Sequence, residues 1–390
     1  MSQTSQDDEK TINKISFKTS NIRNTLIAPE MVVNRNCENF VGAAQIPLGI
    51  AGPLQIARTV LAETNGRKSE TRNYWLPLAT TEGALVASVN RGCKAIGLSE
   101  GVKVYVKNAG VTRAPLFKVK DLEEGRKLIT FIKSNLETIN NFIQENEPYI
   151  KLFKVEPRLV GKNVWLRCFF DTNEAMGMNM ATVACQRIAG YIKKELNIDC
   201  LALSGNLCVD KKPSWLNFTT GRGKKVWAEA VIKKEVVEKI LKTIPEKIVQ
   251  VVQKKCHLGS MVSGSLGFNA HFANIVAAIF LATGQDIAHV VEGSVGITEA
   301  EVEKKGDLYF SVYLPSLMIG TVGGGTGLPT QKEALGILGF DKPEKGDSRR
   351  LAGIIGAAVL AGELSLIAAI AAGDLAKAHQ KLGRGKKKRD

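Results

Sequence analysis

Between residues 115 and 202 the apolar positions change period several times, and each change marks an element. Pro115-Leu-Phe-Lys-Val119 reads as a short strand. From Asp121 the apolar residues recur at Leu128, Phe131, Ile132, Leu136, Ile139, Phe142 and Ile143. That spacing of three and four predicts a helix with Asp121 as its cap. Tyr149–Leu159 and Asn163–Phe170 read as strands joined by a turn at Gly161-Lys162. Met176–Leu196 suits a second helix and Asp199–Leu203 a last strand. The order βαββαβ is the ferredoxin-like arrangement, here a small domain of residues 115–202 inserted into a larger one.

The larger part, residues 38–114 and 203–379, alternates Ala/Gly-rich apolar helices with short strands such as Leu308–Leu314. The helices are Gly83–Ile96, Ala270–Thr283 and Leu351–Ala372, and their small residues predict close central packing. Residues 1–37 are polar and read as an N-terminal arm; 380–390 form a basic tail. The fold class expected is α+β, a large α-rich domain around the inserted one. Leu351–Ala372 is long enough to span a bilayer, but Glu363 near its middle costs about 2.5–3.5 kcal/mol on insertion scales. A buried core helix, with no membrane insertion, is the expectation.

At 390 residues the chain can build two or three packed units. Lys and Arg outnumber Asp and Glu by 53 to 38. The tail Lys381–Asp390 holds six of those basic residues and one acid, and reads as a solvated, disordered end. The remaining excess is scattered and only 6% of residues are aromatic, which argues against nucleic-acid binding and suits small polyanionic ligands. Seven widely spaced cysteines with no C-x-x-C pair point to free thiols in a reducing, cytoplasmic setting and to no metal site. The first residues, MSQTSQDDEKT, contain no apolar core of a secretory signal.

Leu201–Gly223, LALSGNLCVDKKPSWLNFTTGRG, carries the densest chemistry. Asp210-Lys211-Lys212-Pro213 sets two ammonium groups beside a carboxylate; this is an oxyanion site or an ordinary solvated turn. No G-x-G-x-x-G follows a strand and no G-x-x-x-x-G-K-[ST] is present, so the standard dinucleotide and P-loop readings are unsupported. Gly320-Thr-Val-Gly-Gly-Gly-Thr-Gly327 can present consecutive N–H groups to an anion or serve as a packing turn. Glu82, before an apolar helix, reads as a cap or as a desolvated general acid, and Asp286 ends a second such helix. Ala175-Met-Gly-Met-Asn-Met180 reads as core or as a helix start that receives a phosphate. His379, beyond the last long helix, is structural or catalytic.

Taken together these stretches resemble the catalytic portion of 3-hydroxy-3-methylglutaryl-coenzyme A reductases of the class shared by eukaryotes and archaea. The matching runs are ENFVGAAQIPLGIAGPL (38–54), PLATTEGALVASVNRG (77–92), GVTRAP (110–115), AMGMNM (175–180) and LSGNLCVDKKP (203–213). They continue as GRGKKV (221–226), GFNAHFANIV (267–276), LATGQD (281–286), GTVGGGTGLP (320–329) and AGELSLIAAIAAG (361–373), ending at His379. The resemblance covers nearly everything from Glu38 to His379.

It implies two successive hydride transfers from NADPH or NADH to a thioester, giving mevalonate and free coenzyme A. It also implies a homodimer or homotetramer with active sites between subunits. By the same resemblance Lys211 stabilises the oxyanion, Glu82 donates a proton, Asp286 tunes both, and His379 protonates the departing thiolate. Arg113, Ser204, Asp210, Lys212, Lys255 and Asn274 hold the carboxylate end of the substrate, with Leu366, Ala369 and Ile370 as an apolar wall. Asn90, Arg91, Glu174, Met176, Gly177, Met178, Asn179, Gly323, Gly324 and Thr326 fall where the dinucleotide binds.

Three departures from the family pattern change the picture. Asn173-Glu174 replaces the usual Gly-Asp, a longer acid expected to shift the nucleotide contact. Glu147 stands where the family has an arginine for the 2′-phosphate, which opens NADH as the alternative to NADPH, with Lys151 or Lys154 as compensating charges. Met318 stands where a glutamate is usual. No Ser or Thr occurs from Gln380 to Asp390, so control by phosphorylation there is not expected. Two other readings remain: the mevalonate-oxidising direction, and a silent homologue that only binds the thioester.

Overall fold

Long alternating strands, more than the helices, set the frame of the larger part. The computed structural model describes residues 20–33, 35–61 and 71–373. Strand β1 (Leu48–Leu61) pairs antiparallel with β2 (Arg72–Ala79) and parallel with β3 (Val102–Arg113). Between β2 and β3 the chain forms helix α1 (Leu85–Gly97), which starts two residues later than its apolar pattern because Ala84 adopts a left-handed φ of 75°. Beyond β3 the sheet continues through β8 (Gly223–Ile232), β10 (Leu308–Leu317) and β9 (Ile297–Val302), all antiparallel. These strands are longer than the short ones expected, because runs such as Val102–Arg113 interleave Lys and Asn with Val and hide a two-residue period behind polar residues.

One sheet face is apolar, with Val102, Val104 and Val106 of β3 and Val226, Ala228 and Ala230 of β8 all buried. The last long helix of the larger part packs on that face. Its range, Asp347–Ala371, covers all but the last residue of the segment long enough to cross a membrane, and 83% of its most apolar window is buried in the protein. It is a core helix, as expected from its Ala/Gly content. A Cβ on Gly356 would lie 2.4 Å from Val226 Cγ1, and one on Gly92 of α1 would lie 2.0 Å from the Ala361 carbonyl oxygen. Glycine is therefore what lets these elements touch, and each aliphatic side chain they bury contributes about 1.5–3 kcal/mol.

The ferredoxin-like order is present. Strand β4 (Leu116–Lys118) is followed by α2 (Leu122–Ser134) and α3 (Leu136–Gln144), then β5 (Lys151–Val160), β6 (Asn163–Asp171), α4 (Met178–Leu196) and β7 (Cys200–Ala202). The strands lie in the order β7-β4-β6-β5, each antiparallel to its neighbour. Asp121 caps α2 as predicted, its Oδ1 accepting the Glu124 N–H at 2.9 Å, while Glu124 accepts the Lys120 N–H at 2.8 Å. The single helix expected over this stretch is two. Asn135 Nδ2 bonds back to the Phe131 carbonyl at 2.8 Å, and its backbone leaves the helical region. These elements close over a core of their own, including Phe117, Leu128, Ile139 and Phe170. Residues Val111–Arg113 of β3 pair with β6, so one strand belongs to both sheets.

The chain then returns to the larger part. The helix Phe272–Thr283 is numbered α5 and Asp347–Ala371 α6.

Candidate active site

The start of α4 and the turn after β10 face each other across a cleft of about 680 Å³. Gly177 caps α4 with φ 81°, and a Cβ there would sit 2.3 Å from Thr172, so only glycine fits. Across the cleft, Gly323 and Gly324 adopt φ 80° and 56°, with open space where a Cβ would be. Gln285 fixes this turn by giving Nε2 to the Gly320 carbonyl and receiving the Gly320 N–H, both at 2.9 Å. Met176, Met178, Asn179 and Thr326 also line the cleft, though the Thr326 hydroxyl is engaged in the turn, donating to the Gly323 carbonyl at 2.7 Å. Free N–H groups at a helix start, bare glycine backbone opposite and space between suit a dinucleotide phosphate.

Lys211 and Asp286 close one end of this cleft, with Lys211 Nζ 2.8 Å from Asp286 Oδ2. The loop carrying Lys211 is strained. Asn206, Val209 and Lys211 have φ of 62°, 50° and 57°, and β-branched Val209 is an outlier there. Asn217 Nδ2 holds the Val209 carbonyl at 3.0 Å, and the Lys211 N–H donates to Glu292 Oε1 at 3.2 Å. Asp286 caps the turn Ile287–His289 by accepting the Ala288 N–H at 3.1 Å. Burial works to raise its carboxyl pKa, but the Lys211 hydrogen bond, the charge at His289 and the Ala288 N–H outweigh it. The net result lies below the usual carboxylate value.

The carboxylate end of the expected site is assembled around Arg113. Its Nη1 reaches Ser204 Oγ at 3.1 Å and Asp210 Oδ2 at 3.5 Å, while Nε and Nη2 donate to Thr182 Oγ1 at 3.0 and 2.8 Å. Lys212 Nζ folds back on the Asp210 carbonyl at 3.1 Å. Behind Lys211 lies a buried group that the sequence reading missed. Arg222 Nη1 donates to Glu292 Oε1 at 2.6 Å and its Nη2 to Asp210 Oδ1 at 2.9 Å; His289 Nδ1 lies 2.6 Å from Glu292 Oε1. Its signal was the spacing Asp286, His289, Glu292, three residues apart along two successive turns. Asp210, His289 and Glu292 offer donors within 4.8 Å of one another, but the Arg222 guanidinium already supplies the compensating cation.

Other expected site residues stand apart from this cleft. Glu82 is exposed in the turn before α1, its N–H on Thr80 Oγ1 at 3.0 Å, so within one chain it lacks the apolar enclosure its flanks predict. The chain reverses at Ala84 and turns Glu82 outward. Asn90 Oδ1 accepts the Gly52 N–H at 3.0 Å, and Arg91 reaches Ser365 of α6, its Nε on Oγ at 3.0 Å and Nη2 on the carbonyl at 2.5 Å. Leu366, Ala369 and Ile370 lie along the same helix. Asn274 Nδ2 meets His271 Nδ1 at 3.4 Å, and Lys255 is exposed on a π-helical stretch, Val252–Gly259. None of these lines the cleft at Lys211. His379 lies outside the described residues.

Glu174 is engaged elsewhere in this chain. Instead of meeting the cleft, its carboxylate accepts the Gly346 and Ser348 N–H groups at 2.7 and 2.6 Å and caps α6. The extra methylene of glutamate gives it that reach. Lys154 is engaged with Glu156 at 2.6 Å and stacked over Phe169, and Arg35, unforeseen, joins the cleft lining.

A family profile described as hydroxymethylglutaryl-coenzyme A reductase matches residues 5–384. The chain belongs to that family. It is 50% identical over 380 residues to 3-hydroxy-3-methylglutaryl-coenzyme A reductase of Pyrococcus abyssi, covering 95% of this chain and 90% of the relative. To the reductase of Methanocaldococcus jannaschii it is 51% identical over 379 residues, with the same coverage. Among solved structures, a class II 3-hydroxy-3-methylglutaryl-CoA reductase from Streptococcus pneumoniae, bound to NADPH, superposes with a TM-score of 0.64 at 19% identity. That match covers 95% of this chain and 93% of the other, and at this identity it establishes the reductase fold alone.

Proposed function

We propose that the chain reduces 3-hydroxy-3-methylglutaryl-coenzyme A to mevalonate and free coenzyme A, using two equivalents of NADPH or NADH. The observation that carries this reading is the Lys211–Asp286 pair, 2.8 Å apart at the end of a glycine-lined cleft. The cleft fits the dinucleotide: Gly177, Gly323 and Gly324 leave backbone bare on both walls. Met176, Gly177, Met178 and Asn179 would hold it from the α4 side, and Gly323 and Gly324 from the other. The bound dinucleotide supplies hydride.

Every other task falls to the chain. Each hydride addition leaves negative charge on a substrate oxygen, and a Lys211 ammonium within hydrogen-bond reach of that oxygen would stabilise it, an effect worth about 2.7–4 kcal/mol for one well-placed donor. Asp286 keeps that ammonium charged and aimed. Arg113, with Ser204, and Lys212 recognise the carboxylate at the far end of the substrate. Lys211 is 43% exposed, so the reaction needs a further surface to exclude water. In this reading a second subunit provides it, bringing Glu82 as proton donor, Lys255 and Asn274 to the substrate, the apolar wall of α6, and His379 to protonate the thiolate. In this reading residues 115–202 serve as the nucleotide-binding domain, and the free thiols suit a cytoplasmic setting.

The test is turnover of the thioester with NADPH and NADH in parallel, following nucleotide oxidation and thiol release. Two nucleotides oxidised per thiol released is the expected result. A folded protein that binds the thioester and turns over neither would overturn the reading in favour of a silent binder.

A further inference from the structure

The proposed reaction gives no task to the buried residues behind Lys211, yet one of them is placed where only a charged state is comfortable. His289 is fully buried. Its Nδ1 lies 2.6 Å from Glu292 Oε1, and its Nε2, without a hydrogen-bond partner, lies 3.6 Å from Asp286 Oδ2 and 3.9 Å from Asp210 Oδ1. A neutral ring has one N–H. Directed at Glu292, it leaves the Nε2 lone pair facing two carboxylate oxygens, which is repulsive. A second proton turns both contacts into attractions. The charged groups around the ring are Asp286 on its own turn, Glu292 on the next, Asp210 and Lys211 on the 203–214 loop, and Arg222 ahead of β8. Arg113 stands on the far side of Asp210.

We propose that His289 is a positioning residue for the reduction: as an imidazolium anchored on the Glu292–Arg222 pair, it holds the Asp286 carboxylate ionised and turned toward Lys211. The inference rests on the reductase reading and adds a residue to it. Asp286 is then gripped between two cations, Lys211 in front and the ring behind. Its negative charge persists while Lys211 hydrogen-bonds to the substrate oxygen. Glu292 fixes the ring and, through the Lys211 N–H, the strained backbone of the lysine as well. No atom of His289 needs to touch the substrate.

Two variants and one spectrum test this. His289→Leu keeps the volume and removes both nitrogens; His289→Gln keeps a neutral N–H near the place of Nε2. Both are checked for folding by circular dichroism, and kcat and KM are measured for the thioester and for mevaldehyde across about pH 5.5–9. The Leu variant is expected to lose at least about tenfold in kcat with KM for the thioester within about threefold. The Gln variant, neutral but able to donate near the place of Nε2, should recover only part of that rate. Both should change the pH profile of kcat, because neither carries an ionisable ring. A folded Leu variant with wild-type kcat, or equal losses in both variants with the wild-type pH profile kept, would mean packing alone and overturn the proposal. The nitrogen-15 spectrum of the wild-type ring is independent of turnover. Both ring nitrogens protonated at neutral pH is expected, and a ring with one bare nitrogen throughout overturns the proposal. Wild type that fails to turn over would count against the reductase reading, with the spectrum still deciding the state of His289.

Discussion

Asp286→Asn removes one charge and keeps the shape of the site, since the amide oxygen can still accept the Ala288 N–H. At 2.8 Å the lost partner of Lys211 represents about 6 kcal/mol at an effective dielectric constant of ~20, and about 1.5 kcal/mol in bulk water. The side chains are 43% and 33% exposed, so screening leaves about 2 kcal/mol, or roughly 30-fold in rate. Steady-state kcat for the thioester and for mevaldehyde should fall together, because both reductions use the same oxyanion site. The pH dependence has a definite sign. A carboxylate whose folded pKa is depressed contributes fully above its ordinary pKa of about 3.9 and is lost as pH falls through the lower folded value. Wild type should therefore keep the pair down to below about pH 4, with an acid limb there that the Asn variant lacks. A loss under about threefold, or a loss confined to one of the two reductions, would refute this account of Lys211.

Glu174→Ala removes two hydrogen bonds to an ionised acceptor at the start of α6 and should cost about 2 kcal/mol in thermal or urea unfolding. Dinucleotide affinity should be unchanged; the opposite pattern would return Glu174 to the nucleotide. Gly92→Ala sets a Cβ 2.0 Å from the Ala361 carbonyl oxygen, so the α1–α6 contact must open, costing about 1–3 kcal/mol in urea unfolding. A neutral result would show that α1 shifts freely. Glu147→Arg should raise the NADPH/NADH ratio of kcat/KM about tenfold by replacing a repulsive charge with a bidentate donor. No change would move the search for a 2′-phosphate contact to Arg35.

The small ferredoxin-like unit was legible because each element there keeps one period and the breaks fall at Gly161 and Asp121. Asn135 was not, since a single side chain bonding back to Phe131 interrupts an otherwise unbroken apolar pattern. Lys211, Asp286, Arg113, Ser204 and Asp210 were identified by resemblance and do meet in the structure. Arg222 was missed because its meaning lies in pairing across a long separation, meeting Glu292 from 70 residues away; His289 and Glu292 carry only the three-residue spacing from Asp286 as a signal. The engagement of Glu174 was not legible because its partner, the start of α6, is 172 residues away in sequence. Glu82 shows the limit of a local reading in the other direction. Apolar neighbours in sequence predict enclosure, but the turn at Ala84 directs its side chain outward.

Strand β3 belongs to two sheets, pairing with β1 and β8 along its first part and with β6 at Val111–Arg113. The insert at 115–202 is therefore no cassette that can be lifted out and grafted elsewhere. Cutting it away would strip the Cys168–Phe170 edge of its ladder partners, and would take the foothold from the strand that ends in Arg113. Any engineered hybrid of this enzyme has to carry β3 together with the insert, because the junction between the insert and the larger part is a continuous piece of backbone with no linker in it.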